Sequence, residues 1–139
     1  VFDSGIDLTM IGLDVCHRTT FDRDGVASVR ASGTPLAGFV ADSCESWITV
    51  MSAASNGEGL HLYDSLAVAA AIEPDLCTYR RALVEIETGT GPAQGMTVTH
   101  SNEFLRQLLV GRDHNATVAV DVDTERFSAR FTERVLDRL

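Results

Sequence analysis

Hydrophobic and polar positions along the chain follow strand-like and helix-like spacings in turn. Residues 8–15 form a short apolar run that ends in the polar residues 17–20, and its length predicts a buried strand. Apolar residues in segment 22–55 follow helical spacing instead. Because Gly33 and Pro35 interrupt this spacing, the segment predicts two helices separated by a break.

The second of these predicted helices carries a stripe of apolar residues spaced three and four apart. Such a stripe is typical of the face that a helix buries in the core. Its members are Leu36, Phe39, Val40, Cys44, Trp47, Ile48 and Met51. We therefore expect this stripe to be buried.

A loop and a strongly apolar helix are predicted next. Residues 56–59 read Asn-Gly-Glu-Gly and predict a loop, because Asn and Gly tolerate positive φ. Asp64 or Ser65 is expected to cap a helix that runs to Glu73, where Pro74 ends it. Since this helix is apolar on nearly all sides, we expect it to lie in the interior against a sheet, with Asp64 at the crevice of that sheet.

The remaining part of the chain is rich in predicted strands. Residues 82–88 alternate apolar and acidic side chains, which is typical of a half-exposed strand. After the glycine-rich turn 89–95, residues 96–99 and 118–122 predict two further strands. Residues 123–139 predict a final helix. Strands alternate with helices along the chain, so the predicted fold class is α/β.

Composition narrows the class of protein. The chain has 139 residues, a mass of 15.0 kDa and 45% hydrophobic residues, which is enough for one unit with a real core. With 11 basic and 20 acidic residues the net charge is −9, which argues against nucleic acid or an anionic membrane as partner. No apolar run reaches the roughly 18 residues that span a bilayer, and the N-terminus lacks the pattern of a secretory signal.

The cysteines and the first residue of the chain bear on where the protein works. Cys16, Cys44 and Cys77 are widely spaced and odd in number, which predicts free thiols in the reducing cytoplasm. The sequence begins with Val1 rather than Met, so we expect it to be processed or to be part of a longer polypeptide.

Candidate functional residues are sought where strands end and helices begin, because α/β sheets bind ligands there. Asp14 lies near the end of the first predicted strand, and Asp64 stands at the head of the apolar helix with His61 and Tyr63 beside it. The alternative is that Asp64 only caps the helix. As a calcium ligand Asp64 would need partners from elsewhere, since calcium takes about six to eight oxygen ligands.

Other candidates carry weaker signals. Solvation and helix capping explain the Asp121 and Asp123 pair, and the glycines of segment 89–95 lack the helix start of a phosphate loop. Three further histidines have no Cys or His partner at metal-ligand spacing: His17, His100 and His114. No Ser or Cys stands in a nucleophile elbow, so covalent acyl chemistry is not predicted.

Four stretches stand in a distinctive order along the chain: VFDSGIDLTMIGLDV, HLYDSLAVAAAIEPDL, VEIETGTGPAQGMTV and VAVDVDTERF. In this order they resemble the C-terminal half of the inosine-uridine preferring nucleoside hydrolases, and the resemblance covers nearly the whole chain. It implies part of a Rossmann-like open mixed sheet flanked by helices, with residues 1–139 as the C-terminal portion of one hydrolase domain.

The same resemblance implies an activity. Members of this family are calcium-dependent glycosidases of purine and pyrimidine salvage that cleave the N-glycosidic bond of ribonucleosides to ribose and free base. They form homo-dimers and homo-tetramers. The resemblance therefore implies a ribonucleoside as substrate and Ca²⁺ as cofactor.

The resemblance also assigns roles to residues. In the family, an aspartate at the head of a C-terminal helix binds calcium together with an N-terminal DxDxxxDD cluster, and Asp64 matches that aspartate. In nonspecific members a histidine directly before it protonates the leaving base, whereas purine-specific members carry an aromatic residue there. In this chain Tyr63 occupies that position and His61 lies two places earlier. His61 and Tyr63 are thus the alternative general acids, and Tyr63 is the better candidate for the base pocket.

The DxDxxxDD cluster and the mid-chain residues that grip the ribose in the family are absent from this chain. We therefore expect the isolated 139 residues to bind calcium weakly and to hydrolyse no nucleoside. One alternative is a non-catalytic truncated or split-gene half that pairs with another chain, because unpaired strand edges promote association. Another is an unrelated small α/β binding domain.

Overall fold

A computed structural model of the chain describes residues 1–55 and 59–139, which form two compact units. Unit 1 comprises Val1–Gly12 and Cys77–Asp121, and unit 2 comprises Leu13–Leu76 and Val122–Leu139. The prediction that residues 1–139 are one portion of a hydrolase domain stays a prediction.

Strands and helices alternate through both units, so the predicted α/β class is confirmed. The strands are β1 (Thr9–Met10), β2 (Thr20–Asp22), β3 (Gly59–His61), β4 (Cys77–Ile86), β5 (Thr97–His100) and β6 (Ala116–Val122). The helices are α1 (Leu13–Cys16), α2 (Arg23–Ala31), α3 (Pro35–Ser55), α4 (Tyr63–Ile72), α5 (Glu103–Leu109) and α6 (Thr124–Arg134). Two short 3-10 turns, Pro74–Leu76 and Leu136–Arg138, follow α4 and α6.

Unit 1 is built on a mixed sheet with the strand order β1-β6-β4-β5. Strand β1 runs parallel to β6, and β4 runs antiparallel to β5 with Leu83 opposite His100. Directly before β6, the side-chain amide of Asn115 bonds the backbone of β4: its oxygen accepts from the Val84 N–H at 2.7 Å and its nitrogen donates to the Val84 carbonyl at 2.9 Å. The buried core of the unit consists of Ala82, Val84, Ala116 and Val118.

Two strand predictions need correction in their bounds. The predicted strand 8–15 is wrong beyond Met10, because the chain turns there into α1, where Asp14 in the first turn favours a helix start. The alternating pattern predicted for segment 82–88 is wrong in the middle of β4, where Ala82, Leu83 and Val84 are all buried. A strand with neighbours on both sides buries consecutive residues when both of its faces are covered.

Unit 2 combines the β2–β3 pair with helices α2, α3, α4 and α6. The break predicted between the first two helices is confirmed at residues 32–34. Asp22 caps α2 by accepting from the Gly25 N–H at 2.9 Å, and the N-cap of α6 is Asp123. The core cluster of the unit consists of Phe21, Val26, Val29, Ala37, Ala41 and Ile48.

The apolar stripe predicted as the buried face of α3 is buried only in part, since Val40 and Cys44 pack against the core cluster while three of its residues are exposed. Ile48 is fully buried, but Phe39 is 70% exposed and Trp47 is 56% exposed. The buried face instead carries Ala37 and Ala41, whose small side chains allow close approach to the valines of α2. Ion pairs between the two helices reinforce this face: Arg30 bonds Asp42 at 2.7 Å and Glu45 at 3.1 Å, and Arg23 bonds Glu45 at 3.3 Å.

Most of the predicted loop at 56–59 lies outside the described residues, and its last residue, Gly59, begins β3. Within residues 1–55 and 59–139, no helix has the length and apolar character that crossing a membrane requires.

The β2–β3 pair requires glycine at position 59. A Cβ atom there would lie 2.4 Å from Thr20 Cγ2 and 2.8 Å from the carbonyl oxygen of Phe21. Because backbone must move to relieve the second contact, we expect Gly59→Ala to lower the free energy of unfolding by about 2 kcal/mol. Urea-induced unfolding followed by circular dichroism measures this change.

Gly38 provides a matched control in α3. No heavy atom lies within 4 Å of a Cβ built at this position. Alanine has the higher helix propensity, so Gly38→Ala is expected to raise the free energy of unfolding by up to about 1 kcal/mol. A Gly59→Ala variant as stable as Gly38→Ala would contradict the close β2–β3 pairing.

Candidate active site

Asp64 lies exposed in the first turn of α4. The helix begins at Tyr63, and its N-cap is Leu62, which makes no side-chain capping bond. The prediction that Asp64 or Ser65 caps the helix is therefore wrong, since both residues lie inside the first turn. A carboxylate in the first turn is stabilised by the positive end of the helix dipole. Helix capping therefore does not explain why an aspartate stands at position 64.

Backbone bonds connect the end of α1 with the start of α4. In the β2–β3 pair Thr20 lies opposite His61, and the Leu62 N–H donates to the Thr19 carbonyl at 3.1 Å. Thr19 is buried, and its hydroxyl donates to the Cys16 carbonyl at 2.8 Å. Residues that are distant in sequence are thus held side by side.

These bonds bring three rings together, which we name the ring cluster: His17, His61 and Tyr63. The ring centroids of His17 and His61 are 4.6 Å apart, and Tyr63 lies 6.0 Å from His17 and 5.9 Å from His61. His61 is half-buried, whereas His17 is exposed and Tyr63 is 43% exposed. His61 and Tyr63, the two residues predicted from the sequence, precede Asp64 in the chain. In the structure their rings also lie next to each other.

Sequence reasoning missed His17 as a member of this site. It has no histidine at metal-ligand spacing along the chain, yet His61 is its neighbour in space. The β2–β3 pairing creates this contact, and both strands are only three residues long. Such short strands give too weak a periodic signal to be predicted.

The environment of His61 lowers its pKa below the ordinary value for histidine. The first cause is partial burial, which disfavours the charged ring, and the second is charge repulsion from His17. The imidazole is therefore mainly neutral at pH 7, with one nitrogen as donor and the other as acceptor. Its Nδ1 lies 3.4 Å from the Thr20 hydroxyl oxygen. If that hydroxyl donates, the ring proton is on Nε2, which becomes a donor.

An apolar groove of about 390 Å³ lies between α4 and α6, and Asp64 and Ser65 are part of its lining. On the α4 side the groove exposes Val68 at 59% and Ile72 at 58%. The prediction that α4 is buried on most sides is therefore wrong within this chain. Its fully described residues bury one side only, through Leu66 and Ala70.

The C-terminal end of α4 is joined to α6 by a group of ion pairs around Glu73. The Glu73 carboxylate is 17% exposed and bonds Arg126 at 3.0 Å, Arg130 at 3.2 Å and Arg134 at 3.1 Å. Arg126 also bonds Asp75 at 2.8 Å, and this hydrogen bond lowers the pKa of the Asp75 carboxyl group. The group holds α4 and α6 together below the groove.

Glu73→Ala is expected to lower the free energy of unfolding by about 2 kcal/mol, because three guanidinium groups lose their shared, largely buried partner. Asp75→Ala is the matched control, since the Asp75 side chain is 73% exposed and its ion pair is screened by water. We expect this control to lower the free energy of unfolding much less than Glu73→Ala in urea-induced unfolding. Equal costs for the two variants would contradict a special role of Glu73.

The weaker sequence candidates have structural partners. Asp123 caps α6 by accepting from the Arg126 N–H at 3.0 Å, as capping predicted. His100 Nε2 lies 3.2 Å from a carboxylate oxygen of Glu85. Within the described residues, Cys16, Cys44 and Cys77 form no disulfide bond with one another.

The donor set was tested for a metal ion. Among the described residues, no group of three or more His, Cys, Asp and Glu side chains is arranged to hold one. Calcium takes about six to eight oxygen ligands, and the Asp64 carboxylate offers two at most. The described part of this chain therefore does not form a calcium site by itself.

Comparison with known proteins adds independent information. The family described as inosine-uridine preferring nucleoside hydrolase matches residues 1–129. The pyrimidine-specific ribonucleoside hydrolase RihA of Shewanella woodyi is 38% identical over 91% of this chain and 39% of its own length. RihA of Salmonella newport is 35% identical over 97% of this chain and 42% of its own length. The chain thus spans about two fifths of the curated relatives that it matches.

Solved structures show the same relation. The purine-preferring ribonucleoside hydrolase from Gardnerella vaginalis superimposes with a TM-score of 0.82 at 31% identity, over 98% of this chain and 42% of that one. A plant nucleoside hydrolase superimposes with a TM-score of 0.84 at 23% identity, over 96% of this chain and 42% of that one, and shows the same fold. The names of the two RihA proteins specify pyrimidine ribonucleosides, whereas the name of the Gardnerella vaginalis enzyme specifies purine ribonucleosides.

Proposed function

Because the chain belongs to the inosine-uridine preferring nucleoside hydrolase family, we propose that it is the C-terminal part of an enzyme that cleaves ribonucleosides to ribose and free base. One observation carries this proposal: the exposed Asp64 carboxylate stands directly after the ring cluster at the head of α4. A carboxylate suits the hydroxyl-rich sugar or its metal ion, and aromatic rings suit the planar base. The two halves of a nucleoside thus find matching chemistry at one helix end.

The proposal includes calcium as cofactor, with Asp64 as one oxygen ligand. The remaining ligands would come from outside the described residues, as the donor set requires. Bound calcium would orient the ribose hydroxyl groups and make a water molecule more acidic, so that it can attack the anomeric carbon. Within this chain, Asp64 is the residue assigned to the ribose side.

The ring cluster is assigned to the leaving base. An N-glycosidic bond breaks more readily when the departing base receives a proton or a hydrogen bond. The lowered pKa of His61 keeps its imidazole mainly neutral at pH 7, so we assign it a hydrogen bond to the base rather than delivery of a full positive charge. Tyr63, with its ring 43% exposed, is assigned to stacking on the base or donation from its hydroxyl group.

Ribose release tests the proposal. We expect the complete gene product to release ribose from uridine or inosine, and to lose this activity when a chelator removes calcium. Residues 1–139 alone are expected to release none and to bind calcium weakly in isothermal titration calorimetry, because they supply one carboxylate at the site. Ribose release above background by the isolated chain would contradict this division of labour.

We place the enzyme in the cytoplasm, as part of purine or pyrimidine salvage. The odd number and wide spacing of the three cysteines support a reducing compartment. We further propose a homo-dimer or homo-tetramer for the complete protein, which analytical ultracentrifugation would test.

A second candidate function is that of a non-catalytic assembly partner. The exposed side of α3 favours it: apolar residues such as Phe39, Trp47 and Val50 are each more than half exposed there. Several large apolar side chains exposed on one helix are typical of an interface. An antibody against this chain separates the candidates, because a cellular band well above 15.0 kDa supports the enzyme and a band at 15.0 kDa supports the partner.

A further inference from the structure

The ring cluster contains one residue to which the proposed function gives no role. His17 stands directly after α1, and its backbone N–H donates to the Leu13 carbonyl at 2.8 Å. Its ring contacts both His61 and Tyr63, with centroids 4.6 Å and 6.0 Å away. It is the member of the cluster that reaches both of the residues assigned to the leaving base.

We propose that His17 is a positioning residue of the nucleoside site, whose imidazole holds the rings of His61 and Tyr63 in the orientation that serves the leaving base. This inference rests on the proposed function and adds a specific residue to it. His17 is assigned no contact with the ribose.

The position of His17 is built into the backbone. The end of α1 is connected to the start of α4 through the buried Thr19, whose hydroxyl bonds Cys16 and whose carbonyl accepts from Leu62. The register of β2 and β3 sets Thr20 opposite His61. These hydrogen bonds, which join the segment after His17 to the backbone around His61, thus fix the distance between the two imidazole rings.

A purely structural role does not account for the cluster. His17 is exposed and does not belong to the core cluster of unit 2. Exposed polar rings contribute little to the free energy of unfolding, since water replaces their contacts. Rings held in place at the surface instead restrict each other's rotamers, which lowers the entropy cost of presenting a donor to a ligand.

The contacts of His61 show how the orientation of its ring depends on His17. One edge of the His61 ring faces the Thr20 hydroxyl, with Nδ1 at 3.4 Å, and His17 packs against the ring at an interplanar angle of 40°. Removal of the His17 ring leaves His61 free to rotate away from this arrangement. Its repulsion of a positive charge also contributes to the lowered pKa of His61.

Substrates that differ in their leaving group test the inference in the complete gene product. Uridine needs help at its base, whereas 4-nitrophenyl β-D-riboside carries a leaving group that departs without a proton. For His17→Ala we expect kcat on uridine to fall about tenfold with KM changed less than about twofold, and kcat on the nitrophenyl riboside to stay unchanged.

Two further variants sharpen the test. His17→Phe keeps a ring of similar width at the contact, so it is expected to recover most of the uridine activity. His114→Ala is the matched control, because His114 is a histidine of unit 1 outside the ring cluster, and both substrates should be cleaved at the wild-type rate. Circular dichroism confirms that each variant is folded.

The outcomes are distinguishable. Equal losses on both substrates, or no loss on uridine, would overturn the positioning role of His17 while leaving the proposed function standing. Failure of the wild-type gene product to release ribose from either substrate would overturn the proposed function and this inference with it. Selective loss on uridine with recovery by His17→Phe is the result that the ring contacts predict.

Discussion

Replacing Asp64 by alanine is expected to lower kcat/KM of the complete gene product for uridine by about 1,000-fold, or about 4 kcal/mol. Asp64 is exposed in the first turn of α4 and is not its N-cap, so its loss removes only a weak surface interaction with the helix dipole and we expect α4 to stay folded. It does remove the charged oxygen ligand that the proposed function assigns to calcium and the ribose. Ribose release at several uridine concentrations measures the effect.

Asp64→Asn separates charge from shape at this position. We expect it to lose nearly as much activity as the alanine variant, because an amide oxygen carries no net charge for a cation. Calcium affinity of the complete gene product should fall in parallel, and added calcium should restore part of the rate.

Asp24→Asn is the matched control for Asp64. Asp24 is also an exposed aspartate at the second position of a helix, in this case α2, so both changes remove the same interaction with a helix dipole. We expect this control to change kcat/KM less than twofold, which is about the effect of an exposed charge remote from a site. Similar losses for the two variants would contradict a role for Asp64 in the reaction.

Phe127→Ala is expected to lower the free energy of unfolding by about 3 kcal/mol. Phe127 is 1% exposed and is one of the largest fully buried side chains. Its ring stacks on that of Phe131, with the ring centroids 6.1 Å apart. The lower end of the range for buried phenylalanine applies, because Phe127 also lines the groove between α4 and α6 and the space left behind opens to water. Urea-induced unfolding measures the loss.

Phe39→Ala controls for the change of residue type. Phe39 is 70% exposed on α3, so its truncation is expected to change the free energy of unfolding by no more than about 0.5 kcal/mol. A Phe127→Ala variant that costs no more than Phe39→Ala would contradict the burial of Phe127.

Local features of the fold were predictable from the chain. The break between α2 and α3 follows from Gly33 and Pro35, which act on their own residues' φ angles and hydrogen bonds. Asp123 caps α6 as its position before an amphipathic segment predicts. Such signals depend on a few neighbouring residues, so they do not depend on how the rest of the protein folds.

The buried face of α3 was not predictable in this way. Periodicity predicted Ile48 correctly but also selected the exposed Phe39 and Trp47, and it missed Ala37 and Ala41, which pack in the core cluster with the valines of α2. Close approach of two helices favours small side chains, which a hydrophobicity pattern ranks below large ones. The exposed side of α4 is a second example. An apolar sequence indicates that burial of the helix is favourable, but it does not indicate which part of the protein buries it.

The sequence by itself determined the α/β class, the family and the place of Asp64, His61 and Tyr63 at one helix start, because helix starts and ordered motifs are local properties. Only the tertiary structure decided that His17 joins them. The contact depends on the pairing of β2 with β3 and on the bonds of Thr19, which connect distant segments through backbone groups that every residue carries. The spacing of side chains in the sequence does not indicate which backbone groups will bond each other. The ring cluster could therefore be identified only in the folded chain.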